Sequence, residues 1–408
     1  MSRTHAAVRG ALFLAAAGAV MSCSSNDASV VNAPVANPIF QSYVSIGNSI
    51  TAGFQSDGIN DSTQKQSYAV LLAKQMGTRF AYPSLAMPGC RPPINNFLTQ
   101  TRVTLAGQSP STALTCALRN PASVTAAINN VAVPGIQSID PTQVVEKNGS
   151  GLTQLFLGGK SMVAKALDVH PTFATVWVGN NDVLGPAIQG QPAGATSQAN
   201  FVANYSAMIS QLLAGAPNLK GVLIGVVQAA GAPVLFTAQA LQNPAFRAGL
   251  NQVTGKTIVI DPITCTPTTK TLIGFPLISL IASGQHPPII ACEKTPTPPV
   301  GDLLILDAAE QVQVANIVNG YNTYIKAKAD SIGFAYYDPN TTLTRLAGID
   351  PVLATHVPNI ASATAPFGQF VTLDGIHPSA AAHIQIANDL IAIINAKYGT
   401  SLATVPTS

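Results

Sequence analysis

The segment Ile46-Gly47-Asn48-Ser49-Ile50-Thr51-Ala52-Gly53 decides how this chain is read. The apolar run from Phe40 to Ile46 ahead of it has the composition of a buried strand. A serine lifted off the end of such a strand on a Gly-flanked turn is well placed to act as a nucleophile. Serine turns are common, and an ordinary strand-to-loop turn would look the same. Two later segments bear on the choice, Gly179-Asn180-Asn181-Asp182 and Asp374-Gly375-Ile376-His377.

A serine nucleophile needs a base within hydrogen-bond reach. The base in turn needs a carboxylate or carbonyl that holds its tautomer and stabilises the imidazolium. Asp374 and His377, just ahead of the last helical pattern, can supply both from one loop. Alone, an Asp-x-x-His would be a helix-capping aspartate beside a surface histidine. Gly179 to Asp182 follows the strand-like run Ala174–Val178, at the carboxyl edge where open α/β sheets bind ligands. An asparagine there can aim its amide at a developing oxyanion. Alone, it would be a simple turn between strand and helix.

Further strand-like runs are Tyr43–Ile46, Arg79–Pro83, Val222–Val227 and Phe334–Tyr337. Helical patterns lie between them. Gln64–Met76 has apolar residues near helical spacing, Asp307–Ala329 opens with the Asp-x-x-Glu capping signature, and Ser379–Lys397 follows Pro378. This alternation predicts an α/β fold with a parallel sheet covered on both faces. Two stretches break the rhythm, at about 90–160 and 230–300. Structureless loops of that length are unusual in a compact domain. They read as insertions folded over the sheet edge, serving either as a cap that shapes a pocket or as decoration.

The 408 residues are 47% hydrophobic, enough for a sizeable core, which excludes disorder despite only 9% charged residues. Of the formal net charge of +3, Arg3 and Arg9 supply two, so no basic patch points to nucleic acid. Residues 1–22 read as an export signal: Arg3 and Arg9 make a positive start, and Ala11 to Val20 is an apolar run too short to span a bilayer. Val20-Met21-Ser22-Cys23 resembles a bacterial lipobox, which would make Cys23 the lipidated first residue of the mature chain. The alternative is a plain secretory signal cleaved nearby. Ser24 after the cysteine favours an anchor in the bacterial outer membrane, with the periplasmic or surface face left open. Residues 23–38 then form the lipidated cysteine and tether, 39–400 one domain, and 401–408 a tail. Cys90, Cys116, Cys265 and Cys292 allow three pairings. Nearest-neighbour pairing closes one loop within each insertion, and an oxidising compartment permits it. Free buried thiols are the alternative, and no zinc spacing is present.

Together, Ser49, Asn181 and Asp374 with His377 resemble the SGNH hydrolase (GDSL-like esterase/lipase) family, in order and over residues 40–398. The resemblance implies a three-layer α/β/α flavodoxin-like fold, with the two insertions each pinned by a disulfide. It implies Ser49 as nucleophile, His377 as base, Asp374 as its partner and Asn181 in the oxyanion hole. For the family's second block, a glycine whose N–H joins that hole, the match is Gly89 in Met87-Pro88-Gly89-Cys90. Asn48 stands where the family usually has aspartate, keeping its shape and losing its charge. Thr51 two residues after Ser49 argues against the Gly-x-Ser-x-Gly elbow of α/β-hydrolases. The expected activity is cleavage of carboxylic esters through an acyl-enzyme on Ser49, with no metal or organic cofactor. The apolar second insertion favours a lipid or other long acyl ester, bound by a protein held at the membrane through its anchor. The alternatives are a carbohydrate O-acetylesterase, a silent binding lipoprotein of the same fold and a disulfide-stabilised surface adhesin.

Overall fold

Two fully buried five-residue runs, Tyr43–Gly47 (β1) and Phe173–Trp177 (β2), pair in parallel from Tyr43 opposite Phe173 to Gly47 opposite Trp177. Burial on both faces is what their unbroken apolar composition demands. Lys220–Ile224 (β3) and Ala335–Tyr337 (β4) extend the sheet, all parallel, in the order β1-β2-β3-β4. The computed structural model describes residues 37–114, 116, 127–145, 151–294 and 304–407. The export signal, Cys23 and tether residues 24–36 lie outside the described residues.

Alternation along the strands sends side chains to two layers. Val44, Ile46, Ala174, Val176 and Leu223 pack with helices Gln198–Gly215 and Ala308–Ile332. Tyr43, Phe173, Trp177 and Ile224 pack with Tyr68–Met76 and Ala380–Tyr398. The capping signals act as expected. Asp307 and Glu310 form a reciprocal capping box, and Ser379 caps the last helix. The helix expected over Gln64–Met76 is split into Asp61–Lys65 and Tyr68–Met76. Ser67 causes the break: its hydroxyl accepts from Ala69 N–H and donates to Thr51 O.

Arg79–Pro83, expected as the second strand, is not one. The place beside β1 is taken by Asn129–Val133, inside the stretch read as an insertion. Ser45 N–H donates to Asn129 O, while Val131 and Val133 N–H groups donate to Ser45 O and Gly47 O. The earlier run is tied to this segment by Asn129, whose N–H donates to Ala81 O and whose amide carbonyl accepts from Ala81 N–H. The Asn129 amide nitrogen also donates to Tyr43 O at 2.7 Å, so one buried side chain stitches both segments to β1.

Both expected disulfides are present, Cys90–Cys116 and Cys265–Cys292. The second insertion carries a three-stranded antiparallel sheet of Leu235–Thr237, Leu272–Gly274 and Ile305–Leu306. Ile94 and Phe97 of the first insertion share its apolar cluster with Phe236, Ile273, Leu277 and Phe367. The insertions therefore fold into one cap with a core of its own. Cys265 and Cys292 are 27 residues apart, and closing a loop of that size stabilises a fold by about 3 to 4 kcal/mol. Replacing both by serine is expected to lower the stability of the cap by that order, measured as a drop in the urea midpoint with unchanged slope.

Candidate active site

β1 ends in Gly47, where a Cβ would stand 2.2 Å from Thr51 Oγ1. Only glycine lets the chain turn straight into the short helix Ser49–Ala52. Asn48 caps that helix, its side-chain oxygen accepting from Ile50 N–H at 3.1 Å. Asparagine thus fills the capping role at the position where the resemblance leads one to expect aspartate. Ser49 is left at the first position, where helix N–H groups have no intrahelical acceptor.

His377 Nε2 lies 2.8 Å from Ser49 Oγ, across 328 residues of chain. His377 Nδ1 lies 2.7 Å from Asp374 Oδ2. Asp374 is held in turn from several sides. Its Oδ1 accepts from Thr372 Oγ1 and from the N–H groups of Ile376 and His377, and its Oδ2 also accepts from Asp57 N–H at 2.8 Å. Burial would push this carboxyl up, but the adjacent His377 ring and these donors outweigh it and hold it well below the usual carboxylate range. The Phe54 ring packs 4.9 Å from the His377 ring and limits its tilt. This chain of contacts can take a proton from Ser49 and stabilise the resulting imidazolium.

Asp57 was no part of the motif. Its carboxylate pairs with Arg91 and with Arg102 Nη2, while Arg102 Nη1 donates to Asp57 O and Pro92 O at 2.9 and 2.7 Å. This loop holds the N–H that reaches Asp374. A charged residue expected in a solvated loop therefore buttresses the Asp374 carboxylate. No local spacing signals that, because Asp57 and Arg102 are 45 residues apart.

Asn181 opens the helix Asn181–Ile188 after β2, and its amide nitrogen donates to Ile136 O at 2.8 Å. Asp182 fixes the same loop, accepting from Ser138 N–H at 2.8 Å and Ser138 Oγ at 2.6 Å. Burial pushes the Asp182 carboxyl up to about 6, although the Ser138 donors oppose it. Gly89, matched above to the oxyanion glycine, sits elsewhere. A Cβ there would strike Ile59 O at 2.4 Å, and Gly89 does not line the cavity at Ser49. The loop that reaches Asn181 is Pro134-Gly135-Ile136, directly after the segment beside β1, and Gly135 is exposed with φ of +93°. The missed signal was Pro134-Gly135 at the end of the apolar run Val131-Ala132-Val133. The mismatch follows from assigning the second strand to Arg79–Pro83.

A cavity of about 130 Å³ opens at Ser49 and His377. Leu184, Leu343, Leu346, Leu353 and Ile386 make most of its wall apolar, and Asn48, Trp177 and Asn180 also line it. On the other side of Asp374, a wider groove of about 1170 Å³ runs between the insertions past Phe97, Phe275 and Phe367. Of the other histidines, His383 is core: burial pushes it down to about 3, and its Nδ1 accepts from Tyr68 N–H. Among the described residues no helix is long and apolar enough to cross a membrane.

Among curated proteins, none matches this chain. The family model described as GDSL-like Lipase/Acylhydrolase matches residues 43–390, from the first residue of β1 into the last helix. That span includes the serine turn, the Asn181 helix and the Asp374–His377 loop, and it is most of the 408 residues. The chain accordingly belongs to the GDSL-like Lipase/Acylhydrolase (SGNH hydrolase) family, whose members hydrolyse ester bonds.

Proposed function

We propose that this protein is a carboxylic ester hydrolase that works through an acyl-enzyme on Ser49. The observation that carries the reading is the unbroken chain Ser49 Oγ, His377 Nε2, His377 Nδ1, Asp374 Oδ2, with links of 2.8 and 2.7 Å. His377 accepts the Ser49 proton as Oγ attacks the ester carbonyl. The oxyanion lies against the Ser49 N–H, the Asn181 amide and the Gly135 N–H. His377 then protonates the departing alcohol. Water, deprotonated by His377, attacks the acyl carbonyl and frees Ser49.

The cavity at Ser49 is close in size to the ~150 Å³ apolar cavities that accept a benzene-sized group. This favours acyl chains of about six carbons over acetate. The wide groove between the insertions suits a bulky alcohol portion such as a lipid. The test is the soluble domain assayed on nitrophenyl esters of graded length, with kcat/KM expected to peak at pentanoate to octanoate. A peak at acetate would favour glycan deacetylation instead. Replacing Asn181 with alanine is expected to lower kcat by about 10² to 10³-fold with little change in KM, because an oxyanion donor acts mainly in the transition state. Export with a lipid anchor on Cys23 is part of the same proposal. Metabolic palmitate labelling that disappears in Cys23→Ala is its expected signature.

A further inference from the structure

Seven buried side-chain polar atoms have no hydrogen-bond partner among the described residues, and three of them belong to residues lining the cavity at Ser49. They are Asn48 Nδ2, Trp177 Nε1 and Asn180 Nδ2. Asn48 and Trp177 are 1% exposed and Asn180 is 7% exposed, so bulk water does not serve these groups. An unpaired buried donor costs about 1 to 3 kcal/mol, so three around one cavity ask for an explanation.

All three must be donors. The Asn48 oxygen is fixed by Ile50 N–H at 3.1 Å and the Asn180 oxygen by Val227 N–H at 3.0 Å. Flipping either amide would set N–H against N–H, so each NH₂ faces away from its backbone partner. The Trp177 indole can only donate, and its ring is wedged 5.4 Å from the Tyr68 ring. The cavity is thus an apolar sleeve with a cluster of fixed donors. A plain hydrocarbon chain would leave all of them unpaired. A water molecule would bring two hydrogens of its own into a mostly apolar space. A proton-free oxygen fits the cluster. No lysine or arginine lines the cavity, so nothing there balances a buried charge.

We infer that this cavity selects an acyl chain carrying a neutral carbonyl oxygen, as in an oxo-acyl ester, which accepts from Asn48, Trp177 and Asn180. This rests on the ester-hydrolase reading above and names the acyl group which that reading leaves open. One well-paired acceptor should improve recognition about tenfold over the unsubstituted chain.

The test compares nitrophenyl esters of equal chain length, pentanoate, levulinate (the same chain with a ketone oxygen) and glutarate (the same chain ending in a carboxylate). Wild type is expected to show about tenfold higher kcat/KM for levulinate than for pentanoate. That ratio is expected to fall toward one in Trp177→Phe, which removes one donor, and in Asn180→Asp, which keeps the acceptor for Val227 N–H and removes the amide donor. Ser49→Ala, titrated calorimetrically with ethyl levulinate and ethyl pentanoate, reads binding without turnover and should show the same preference. Equal binding and equal kcat/KM for the two esters would overturn the inference, as would glutarate preferred over levulinate. A tenfold binding preference with no turnover of any ester would support it while sinking the hydrolase proposal.

Discussion

Replacing Ser49 by alanine is expected to lower kcat on nitrophenyl esters by about 10⁴ to 10⁶-fold, to the level of the oxyanion site and substrate binding alone. The loss should be chemical and leave the fold intact. Ser49 Oγ is bonded only to His377 Nε2, and the capping bond that forms the turn belongs to Asn48. Removing one such hydrogen bond changes stability by about 1 kcal/mol. A fluorophosphonate probe should label wild type at Ser49 and leave the variant unlabelled. Turnover that survives the substitution would refute the assignment of the nucleophile.

Asp374→Asn is expected to cost about 10⁴-fold in kcat with the loop still in place. The reason lies in which oxygen does what. Oδ1 accepts three donors within its own loop, so an asparagine will keep its oxygen there. Its NH₂ then replaces Oδ2 and faces both the Asp57 N–H and His377 Nδ1. The ring can meet a donor only with Nδ1 unprotonated, which places its hydrogen on Nε2, where the Ser49 proton must be accepted. The variant should also be less stable at neutral pH. Folding lowers the Asp374 pKa, so its carboxylate adds stability above about pH 4 that fades as the pH falls below that value. The stability difference between wild type and variant should therefore shrink in acid. A constant difference down to strongly acidic pH would show that the carboxylate's charge contributes nothing.

The parts of the site written into short segments were legible in the sequence. A carboxylate and an imidazole that must meet can sit three residues apart on one turn, and Asp374 with His377 does so. The serine turn and Asn181 were legible because each follows an apolar run that is a sheet strand. What failed depends on pairing between distant segments. Arg79–Pro83 and Val131–Val133 are both short apolar runs, and only the hydrogen bonds to Ser45 and Gly47 show which one adjoins β1. Gly89 was chosen in place of Gly135 for that reason alone. The Arg102–Asp57 support for Asp374 was hidden in the same way, since its partners meet only after the first insertion has folded. The three unpaired donors belong to no motif. Burial makes them informative, and burial is a property of the finished core.

The 328 residues between Ser49 and His377 have a consequence for how this protein comes into being. The nucleophile is among the first parts of the domain to leave the ribosome, and its base is among the last. No shorter nascent chain contains both. A product truncated before the Asp374 loop would carry an intact serine turn and no means to activate it. Hydrolytic competence therefore begins only when the C-terminal helix has closed over the sheet. Ester turnover is for that reason a readout of completed folding, and a partly translocated chain would pass the lipids of its own cell without attacking them.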